Sequence, residues 1–453
     1  MLTYELKKAP GIPLYEALYR CIRDDILSGK LAPGQKLPSK RTLCANLKVS
    51  KITVEGAYNQ LLEEGYIRSC EKVGYFVEAV ERTPSAPVVQ EAPPPEPEDC
   101  IDLTANGPAH FPFSVWSRLM REVMLDLGEQ LLIEPPNQGL LALRQAIAGH
   151  LAQFRAMQVD PRNILIGAGT DFLYNLLIQL LGADKQYAVE EPGYGKIRRI
   201  YGAAGAKCIS AALDEQGVRP DGLENAQVLH ISPSHHFPTG IVTPLARRQA
   251  LLRWAKASPS RWIIEDDYDS EFRFAAHPLP TMQSLDTDEK VIYMNTFSKT
   301  LAPSIRISYM VLPPVLMEQF RKRLGFYSCT VPSFEQHTLA RFLDRGHFEK
   351  HINRMRKYYK TRRDRVLAAL APLQDRITIL EQNAGLHFLV KTDPTISDQT
   401  VTARLREAGI RVRSLSSYYH GPYPESASHC LVVNYSGLTD EKLAQLEEKL
   451  KTI

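Results

Sequence analysis

One proline-rich segment divides the chain and limits what it can fold into. Residues 81–99 read ERTPSAPVVQEAPPPEPED and contain six prolines and five acidic residues. Proline lacks the backbone donor that helices and sheets use, and a polar, acidic segment cannot bury enough apolar surface to fold. Such a segment favours extended polyproline geometry and acts as a semi-rigid spacer, or else remains a disordered connection. In either form it predicts a boundary between one domain at residues 1–80 and another at residues 100–453.

The composition narrows the class of protein further. With 453 residues the chain exceeds what one compact core usually organises, and its formal charge of +4 gives no global indication of nucleic-acid binding. Its seven cysteines lie far apart without a Cys-x-x-Cys pair, which suits a reducing compartment. No apolar run reaches the roughly 18 residues that span a bilayer, and the N-terminus lacks the apolar core of a signal peptide. We expect a cytoplasmic protein of two or more domains, without a membrane segment or a metal site.

The first eighty residues carry three helical patterns and a hairpin. Pro13 suits a first helical turn, and apolar residues then recur at helical spacing up to Gly29: Leu14, Leu18, Cys21, Ile22 and Ile26. After a rigid turn at residues 33–38, Ser39 is placed to cap a second helix and Ser50 a third. Residues 67–77, interrupted at 71–74, read as a hairpin. This order predicts a winged helix-turn-helix.

A winged helix-turn-helix indicates a double-stranded DNA operator as partner. Three residues would face the major groove from the first turn of the third helix: Ser50, Lys51 and Thr53. Three cations would approach phosphates, namely Lys40, Arg41 and Lys72, while Gly74 would let the wing backbone come near the duplex. A solvated cationic surface is the alternative, because residues 1–80 hold 12 Lys and Arg against 9 Asp and Glu. The winged helix-turn-helix motif therefore favours DNA binding, whereas the small net charge of residues 1–80 does not distinguish the two alternatives.

From Ile101 onward, apolar strand-like runs alternate with helical stretches. The strand-like runs are residues 163–167, 187–189, 228–231, 262–264 and 291–294, with helical stretches at 172–181 and 244–257. Such alternation predicts an α/β fold with a largely parallel sheet and helices on both faces. A long basic helix (345–370), strands near 377–380, 386–390 and 430–434, and a helix at 440–450 follow. Six cations on the basic helix are expected to be solvated, with a DNA-facing strip as the alternative: Arg354, Arg356, Lys357, Lys360, Arg362 and Arg363.

A lysine that follows an apolar strand is the centre of the predicted chemistry. After residues 291–294 the chain reads NTFSKTLAPSIR up to Arg306. Lys299 would carry the aldehyde of pyridoxal 5'-phosphate (PLP) as a Schiff base and is the predicted catalytic residue. Thr296, Ser298 and Arg306 would meet the cofactor phosphate. The alternative is a surface loop, because Ser-Lys-Thr also occurs in solvated turns.

Two further stretches argue against the surface loop. Residues 262–268, WIIEDDY, form a short apolar strand that ends in carboxylates and a phenol, at the end where open α/β sheets bind ligands. Asp266 would keep the pyridine nitrogen protonated, and Tyr268 would bond the ring's phenolate oxygen. The helix that follows Gly169 and begins near Thr170 offers free amides and a dipole for the phosphate, to which Thr170 adds a hydroxyl.

As a set, these motifs resemble those of the MocR/GabR regulators, which join a GntR-type winged helix to a fold-type-I PLP domain. The resemblance extends from about Pro13 to the C-terminus and rests on Lys299, Asp266 and Tyr268 together with four stretches: 33–41, 49–54, 191–194 (EPGY) and 234–240 (SHHFPTG). It implies a large parallel-sheet-rich domain, a small C-terminal α+β domain, a homodimer, and Tyr194 stacked on the pyridine ring.

The chain also departs from the pattern of that family. Lys51 and Ile52 stand where Arg and Thr are usual, which leaves the base preference open. Phe237 precedes Pro-Thr-Gly where aminotransferases usually have an asparagine that bonds the ring oxygen, and His236 replaces a glutamine. His235 would contribute instead of the asparagine, although a lone loop histidine is more often structural.

The predicted domains are compatible with three functions. The first is a regulator that senses an amino compound or PLP; the second is an aminotransferase with an accessory DNA-binding domain; the third is a DNA-binding protein that uses the fold only to dimerise. Residues 429–436 contain no arginine where aminotransferases usually hold the substrate carboxylate. Substitutes exist elsewhere: Lys196, Arg198, Arg199, Arg411 and Arg413. We therefore favour the regulator, with weak or vestigial transaminase activity.

Overall fold

The protein consists of two compact units, residues 1–96 and 97–453. The structure, a computed structural model, describes residues 2–4, 6, 13–80, 100–105, 107, 110–274, 279–380 and 385–450. The predicted spacer at residues 81–99 lies outside the described residues. Within the described ranges, no helix combines the length and the apolar character that crossing a membrane requires.

The first unit is a winged helix-turn-helix, as predicted. Its elements are α1 (Leu14–Leu27), α2 (Lys40–Leu47), α3 (Lys51–Glu63), β1 (Ile67–Cys70) and β2 (Gly74–Val77). The apolar residues at helical spacing point inward: Leu18, Ile22, Val54, Tyr58 and Leu61 are fully buried. β1 and β2 pair antiparallel to form the wing.

Both predicted helix caps are present in this unit. Ser39 Oγ accepts from the Thr42 N–H at 3.1 Å, and Ser50 Oγ accepts from the Thr53 N–H at 3.2 Å. A cap satisfies an amide that the helix leaves unpaired, which explains why a short helix such as α2 begins where it does. Lys48 follows α2 in a left-handed conformation, with φ of 56°, and turns the chain towards α3.

The second unit is an α/β domain with a large sheet and a smaller one. Its helices are α4 (Phe113–Leu127), α5 (Leu141–Arg155), α6 (Thr170–Leu181), α7 (Gly195–Ala203), α8 (Leu245–Lys256), α9 (Met282–Leu285), α10 (Phe297–Thr300), α11 (Pro314–Arg323), α12 (Ser333–Asp344), α13 (His347–Leu370), α14 (Asp398–Glu407) and α15 (Asp440–Lys449). Its strands are β3 (Ile101–Asp102), β4 (Ile164–Gly167), β5 (Gln186–Glu191), β6 (Lys207–Asp214), β7 (Gly217–Val218), β8 (Val228–Ile231), β9 (Trp262–Asp266), β10 (Val291–Thr296), β11 (Ser308–Val311), β12 (Thr378–Leu380), β13 (His387–Lys391), β14 (Ile410–Arg411), β15 (Arg413–Ser414) and β16 (Cys430–Asn434).

The large sheet has the order β4-β11-β10-β9-β8-β5-β6-β7. The five strands from β10 to β6 are parallel neighbours, whereas β11 runs antiparallel between β4 and β10. Helices α6, α7 and α11 pack on one face, and α8 packs on the other. The predicted parallel sheet is confirmed. β11 was not predicted, because a short apolar run directly after the lysine loop has no periodicity that identifies a strand.

The small sheet has the order β12-β13-β16-β15. The long helix α13 packs against α15. Arg354, Lys357 and Lys360 on α13 are exposed as predicted. For Arg362 the prediction of a solvated side chain was wrong: it is buried, pairs with Asp440 at 2.8 Å and lies over the Tyr358 ring. This guanidinium therefore ties α13 to α15, because two helices that pack together can bury a cation only when it is paired. The prediction of a solvated side chain also fails for Arg363, whose side chain is 11% exposed, and for Arg356, which is half-buried and donates to the Glu271 carbonyl at 2.6 Å.

Candidate functional site

The candidate site lies at the carboxyl ends of β9 and β10, which are parallel neighbours near the middle of the sheet. Met294 of β10 pairs with Asp266, the last residue of β9, and the chain then enters α10, which carries Lys299. Burial lowers the pKa of the Lys299 amino group, and the charges of Asp269 and Asp266 partly offset that effect. A lowered pKa leaves more of the amine neutral, which is the form that attacks a carbonyl carbon.

Asp266 belongs to a run of three carboxylates that point to alternate faces of the sheet. It lies on the side of α6, where Tyr174 donates to its Oδ2 and His230 Nε2 is 3.4 Å from the same oxygen. Its Oδ1 is buried and has no hydrogen-bond partner among the described residues. A buried acceptor of this kind costs free energy unless a ligand donates to it.

The two neighbouring carboxylates stabilise the scaffold. Glu265 accepts from the backbone N–H groups of Met282 and Gln283 at 2.8 and 2.9 Å, and so holds the start of α9. Asp267 pairs with Arg155 at 2.7 Å, and both side chains are buried. Asp266 and Asp267 each keep one buried oxygen that the described residues leave unpaired, but Asp267 is committed to Arg155, and it is Asp266 that lies on the side of α6.

Several residues predicted for the phosphate converge at the N-terminus of α6. Gly169 precedes the helix with φ of 89°, and a Cβ there would overlap with the Arg306 guanidinium. Arg306 itself has φ of 51° and lies 3.3 Å from Asp171 in the first turn of α6. Thr170 is the first residue of that helix, and the Ser298 hydroxyl is buried without a partner among the described residues. Free helix amides, a guanidinium and a hydroxyl are a donor set that suits a phosphate.

The Thr296 hydroxyl is engaged in hydrogen bonds within the protein. It accepts from the Ser298 N–H at 3.1 Å and from the Ser308 hydroxyl at 2.7 Å. It therefore closes the turn from β10 into α10 and connects β10 to β11. The Ser298 hydroxyl has no such partner among the described residues, and the contact of Thr296 with the cofactor phosphate stays a prediction.

Asp269 is a residue that the sequence analysis missed. It is buried, and its Oδ2 lies 2.9 Å from His235 Nδ1, while the Tyr268 hydroxyl lies 3.3 Å from the same nitrogen. Among the charged groups that raise the pKa of Lys299, Asp269 has the largest effect. The only signal in the sequence was its position next to Tyr268, in the acidic stretch of residues 265–271. Its contact with His235 and its electrostatic effect on Lys299 involve segments that are distant along the chain, so a local pattern could not reveal them.

His235 is placed beside Tyr268, and its neighbour His236 is structural. The His236 Nδ1 lies 2.7 Å from the Thr239 hydroxyl, and burial lowers its pKa to about 3, so that it stays neutral. The His235 ring lies 4.8 Å from the ring of His387 on β13 and has an unpaired, buried Nε2 among the described residues. His235 therefore connects the end of the large sheet to the small sheet.

Tyr194 and Phe237 form an aromatic pair. Tyr194 precedes α7, is 49% exposed, and meets the Phe237 ring edge to face at 6.1 Å. Phe237 also packs against the rings of His387 and Tyr418. Phe237 thus fills, with an apolar ring, the position where aminotransferases usually have the asparagine. The stacking of Tyr194 on a cofactor ring stays a prediction.

The candidate substitutes for the missing arginine are mostly engaged elsewhere. Lys196 pairs with Asp171 at 2.6 Å, Arg198 with Glu191 at 3.0 Å, and Arg411 with Asp102 at 3.1 Å. A cation already paired with a carboxylate must break that contact before it can hold a substrate carboxylate. The described residues that line the small cavity at Lys299 contain no arginine: Gly107, Ser298, Pro303, Tyr359, Leu386 and Ser436.

The predicted DNA-binding residues form one region of the winged helix. The Lys51 side chain at the start of α3 is 76% exposed and lies 3.5 Å from Glu55, which Lys40 approaches at 4.0 Å. Arg41 is exposed on α2. Ser50 and Thr53 bond to each other through their hydroxyls at 2.8 Å, so both also serve as the cap of α3.

The wing turn contains two residues with positive φ, and the approach of Gly74 to a duplex stays a prediction. Lys72 has φ of 60°. Gly74 has φ of 132°, and residues with a Cβ rarely adopt that conformation. A Cβ on Gly74 would also lie 3.1 Å from Lys36 Cε. The turn therefore depends on glycine at this position.

Comparison with known families supports the two-part organisation. Residues 98–450 match the family described as aminotransferase class I and II, and residues 14–77 match the bacterial regulatory proteins of the gntR family. Among solved structures, an archaeal alanine:glyoxylate aminotransferase is 24% identical with a TM-score of 0.69; the match covers 78% of this chain and 90% of that chain. The likeness to this solved structure shows the fold of the second unit.

Full-length relatives combine the same two parts. The uncharacterized HTH-type transcriptional regulator YhdI of Bacillus subtilis is 36% identical over 100% of this chain and 98% of its own length. The HTH-type pyridoxine biosynthesis transcriptional regulator PdxR of Corynebacterium glutamicum is 33% identical over 88% of this chain and 87% of its own length. The probable rhizopine catabolism regulatory protein MocR of Rhizobium meliloti is 30% identical over 97% and 93%. This chain therefore belongs to the MocR-type HTH transcriptional regulators, in which a GntR-family DNA-binding domain precedes an aminotransferase class I and II domain.

Proposed function

We propose that this protein is a PLP-dependent transcription regulator whose DNA binding responds, through Lys299, to an amino compound or to PLP itself. One observation carries the proposal: a buried lysine with a lowered pKa, on which the charge of Asp266 acts, occurs in the same chain as a winged helix, and Asp266 has an oxygen that the described residues leave unpaired. A domain used only for dimerisation has no need of such a lysine. In this proposal residues 1–80 bind DNA, 81–99 are the spacer, and 100–453 bind the effector, in the reducing cytoplasm that suits seven free cysteines.

The residues at the site fit PLP. Asp266 Oδ1 would accept a hydrogen bond from the protonated pyridine nitrogen, and Tyr268 would donate to the phenolate oxygen, with His235 behind it. The phosphate would be held by Gly169, Thr170, Ser298 and Arg306, and Tyr194 would cover the ring. PLP, when bound, supplies an aldehyde and an electron-withdrawing ring, which the protein must only position.

We also propose that the molecule is a homodimer. Several apolar side chains of the second unit are more than two-thirds exposed: Phe113, Leu125, Leu132, Ile133 and Phe326. Exposed apolar surface of this extent usually marks an interface, and a two-fold dimer would present two winged helices to paired half-sites. Light scattering at working concentration measures the mass directly, and a monomer would contradict the proposal.

The alternative is a working aminotransferase with an accessory DNA-binding domain, and the intact Lys299 and Asp266 pair is the observation that favours it. Against it stands the lack of an unpaired arginine at the described cavity residues. Without a bidentate clamp the α-carbon of an amino acid is held loosely over the ring, and orientation contributes several kcal/mol to such reactions. Release of a keto acid at rates typical of enzymes, with any common amino donor, would favour the alternative.

The decisive experiment uses the full-length protein. Duplexes selected from a random-sequence library serve as the operator, and a titration with amino acids and amines is followed by absorbance of the bound cofactor and by DNA affinity. We expect at least one compound to change both signals at the same concentration. Cofactor changes without any effect on DNA affinity would contradict sensing.

The charge of Asp269 should be measurable at Lys299 without cofactor. Because Asp269 raises the pKa of Lys299 against the larger effect of burial, Asp269→Asn should lower that pKa further. More of the amine is then neutral at a given pH, so the pH profile for labelling of Lys299 by trinitrobenzenesulfonate shifts to lower pH. Peptide mapping reads the Lys299 peptide alone. Asp221→Asn, which removes a carboxylate that is 85% exposed, is the control and should leave the profile in place.

Two cations of the winged helix should contribute to DNA binding in different ways. Arg41→Ala should weaken binding to all duplexes alike and reduce the slope of log affinity against log salt by about 0.9 for each phosphate that the arginine neutralises. Lys51→Ala should also relax the base preference in a repeated selection, because it lies at the start of α3. Lys30→Ala is the control, since this exposed lysine follows α1 and pairs with Asp25. Unchanged DNA affinity in both variants would contradict the assignment.

A further inference from the structure

Ile52 is an aliphatic residue in an unusual place. It is the second residue of α3 and is 80% exposed, more than any other large apolar side chain in the described residues. The other large apolar side chains of the helix point inward, as Val54 and Leu61 do at 0% exposure. Packing within the winged helix therefore does not explain an isoleucine at this position. A β-branched residue also has a poorer helix propensity than the residues usual on an exposed helix face.

The residues around Ile52 are already engaged. Ser50 and Thr53 are bonded to each other in the cap of α3, and the Lys51 amino group lies 3.5 Å from Glu55. The first turn of the helix thus holds its polar side chains in intramolecular contacts and leaves the branched side chain of Ile52 outermost. Lys51 precedes Ile52 in the chain, and the Lys40 amino group of α2 lies 4.0 Å from Glu55 of the same helix as Ile52, so cations that suit a phosphate backbone occur in this region.

We propose that Ile52 contacts the C5 methyl group of a thymine in the major groove and sets a preference for thymine at one position of each half-site. The inference rests on the proposed DNA-binding function and adds the chemical group that is read. Among the base edges in the major groove, the thymine methyl is the apolar feature, and aliphatic side chains recognise it by contact. An isoleucine at the start of α3 matches a methyl group and offers nothing to a hydrogen-bonding edge.

The test removes the methyl group alone. Duplexes selected by the full-length protein are resynthesised with deoxyuridine in place of one thymidine at a time, which keeps base pairing and deletes one methyl. Burying one methyl is worth about a fourfold change in affinity, so one thymine per half-site should show a loss of about that size. Ile52→Ala should weaken binding to the thymine duplex by at least as much, and should make it insensitive to deoxyuridine at that position.

Controls separate this inference from the proposed function. Val80→Ala truncates another exposed aliphatic side chain of the same unit and should keep the full deoxyuridine effect. Because Ile52 is exposed, its replacement should leave folding intact, which circular dichroism checks; Ile52→Gln serves as a second variant of similar size. If no duplex is selected at all, the proposed function fails. If duplexes are selected but no thymine shows an effect that depends on Ile52, the proposed function stands and this inference is overturned.

Discussion

Lys299→Ala is expected to abolish covalent attachment of the cofactor. Lys299 is the lysine with a lowered pKa at the carboxyl end of β10, next to the buried Asp266 and Asp269. Treatment of the wild type with PLP and borohydride should place the pyridoxyl group on the Lys299 peptide, and the variant should carry none there. Lys322→Ala removes an exposed lysine on α11 and is the control, which should label like the wild type.

The same variant separates sensing from DNA binding. Lys299 belongs to the second unit and the winged helix to the first, so Lys299→Ala should still select DNA while losing the response of DNA affinity to amino compounds. A pyridoxyl group on another lysine of the wild type would contradict the assignment of Lys299. A variant that still responds to the effector would contradict sensing through this lysine.

Gly385→Ala is expected to have the largest effect on the architecture of the site. Gly385 has φ of 69°, and a Cβ there would overlap with the imidazole of His235. His235 cannot easily move, because it is buried and its Nδ1 is held at 2.9 Å from Asp269. Backbone strain and overlap together should lower the free energy of unfolding by about 2–4 kcal/mol and weaken PLP binding. Denaturant titration and cofactor absorbance measure the two effects.

Two further variants show whether the overlap is the cause. Gly421→Ala is the matched control, because its Cβ would meet nothing within 4 Å and its backbone is not in the left-handed region. The double variant Gly385→Ala with His235→Ala removes the overlap and leaves the backbone strain, so it should recover part of the stability that Gly385→Ala removes. Equal destabilisation at Gly385 and Gly421, or no recovery in the double variant, would show that the contact with His235 is not responsible.

The winged helix and the alternation of strands and helices in the α/β domain follow from local patterns in the amino-acid sequence. Apolar spacing placed α1 and α3, and the hydroxyls of Ser39 and Ser50 marked where helices begin, because caps act within one turn of chain. Lys299 and Asp266 were also predictable, since each directly follows or ends a buried strand and parallel strands present their carboxyl ends together. These are local signals, and no distant contact is needed to read them.

Long-range contacts in the folded protein set which polar groups at the site are free and which are engaged. Thr296 and Ser298 are equivalent hydroxyls in the sequence, but the neighbouring strand β11 occupies the first and leaves the second unpaired among the described residues. Asp269 became part of the site only because folding brings His235 and Lys299 to it. In the sequence Arg362 is one more cation of a basic helix, and only the packing of α15 buries it against Asp440. In each case the deciding partner lies far away in the chain, and hydrogen bonding and burial of a side chain depend on such partners more than on its neighbours in sequence.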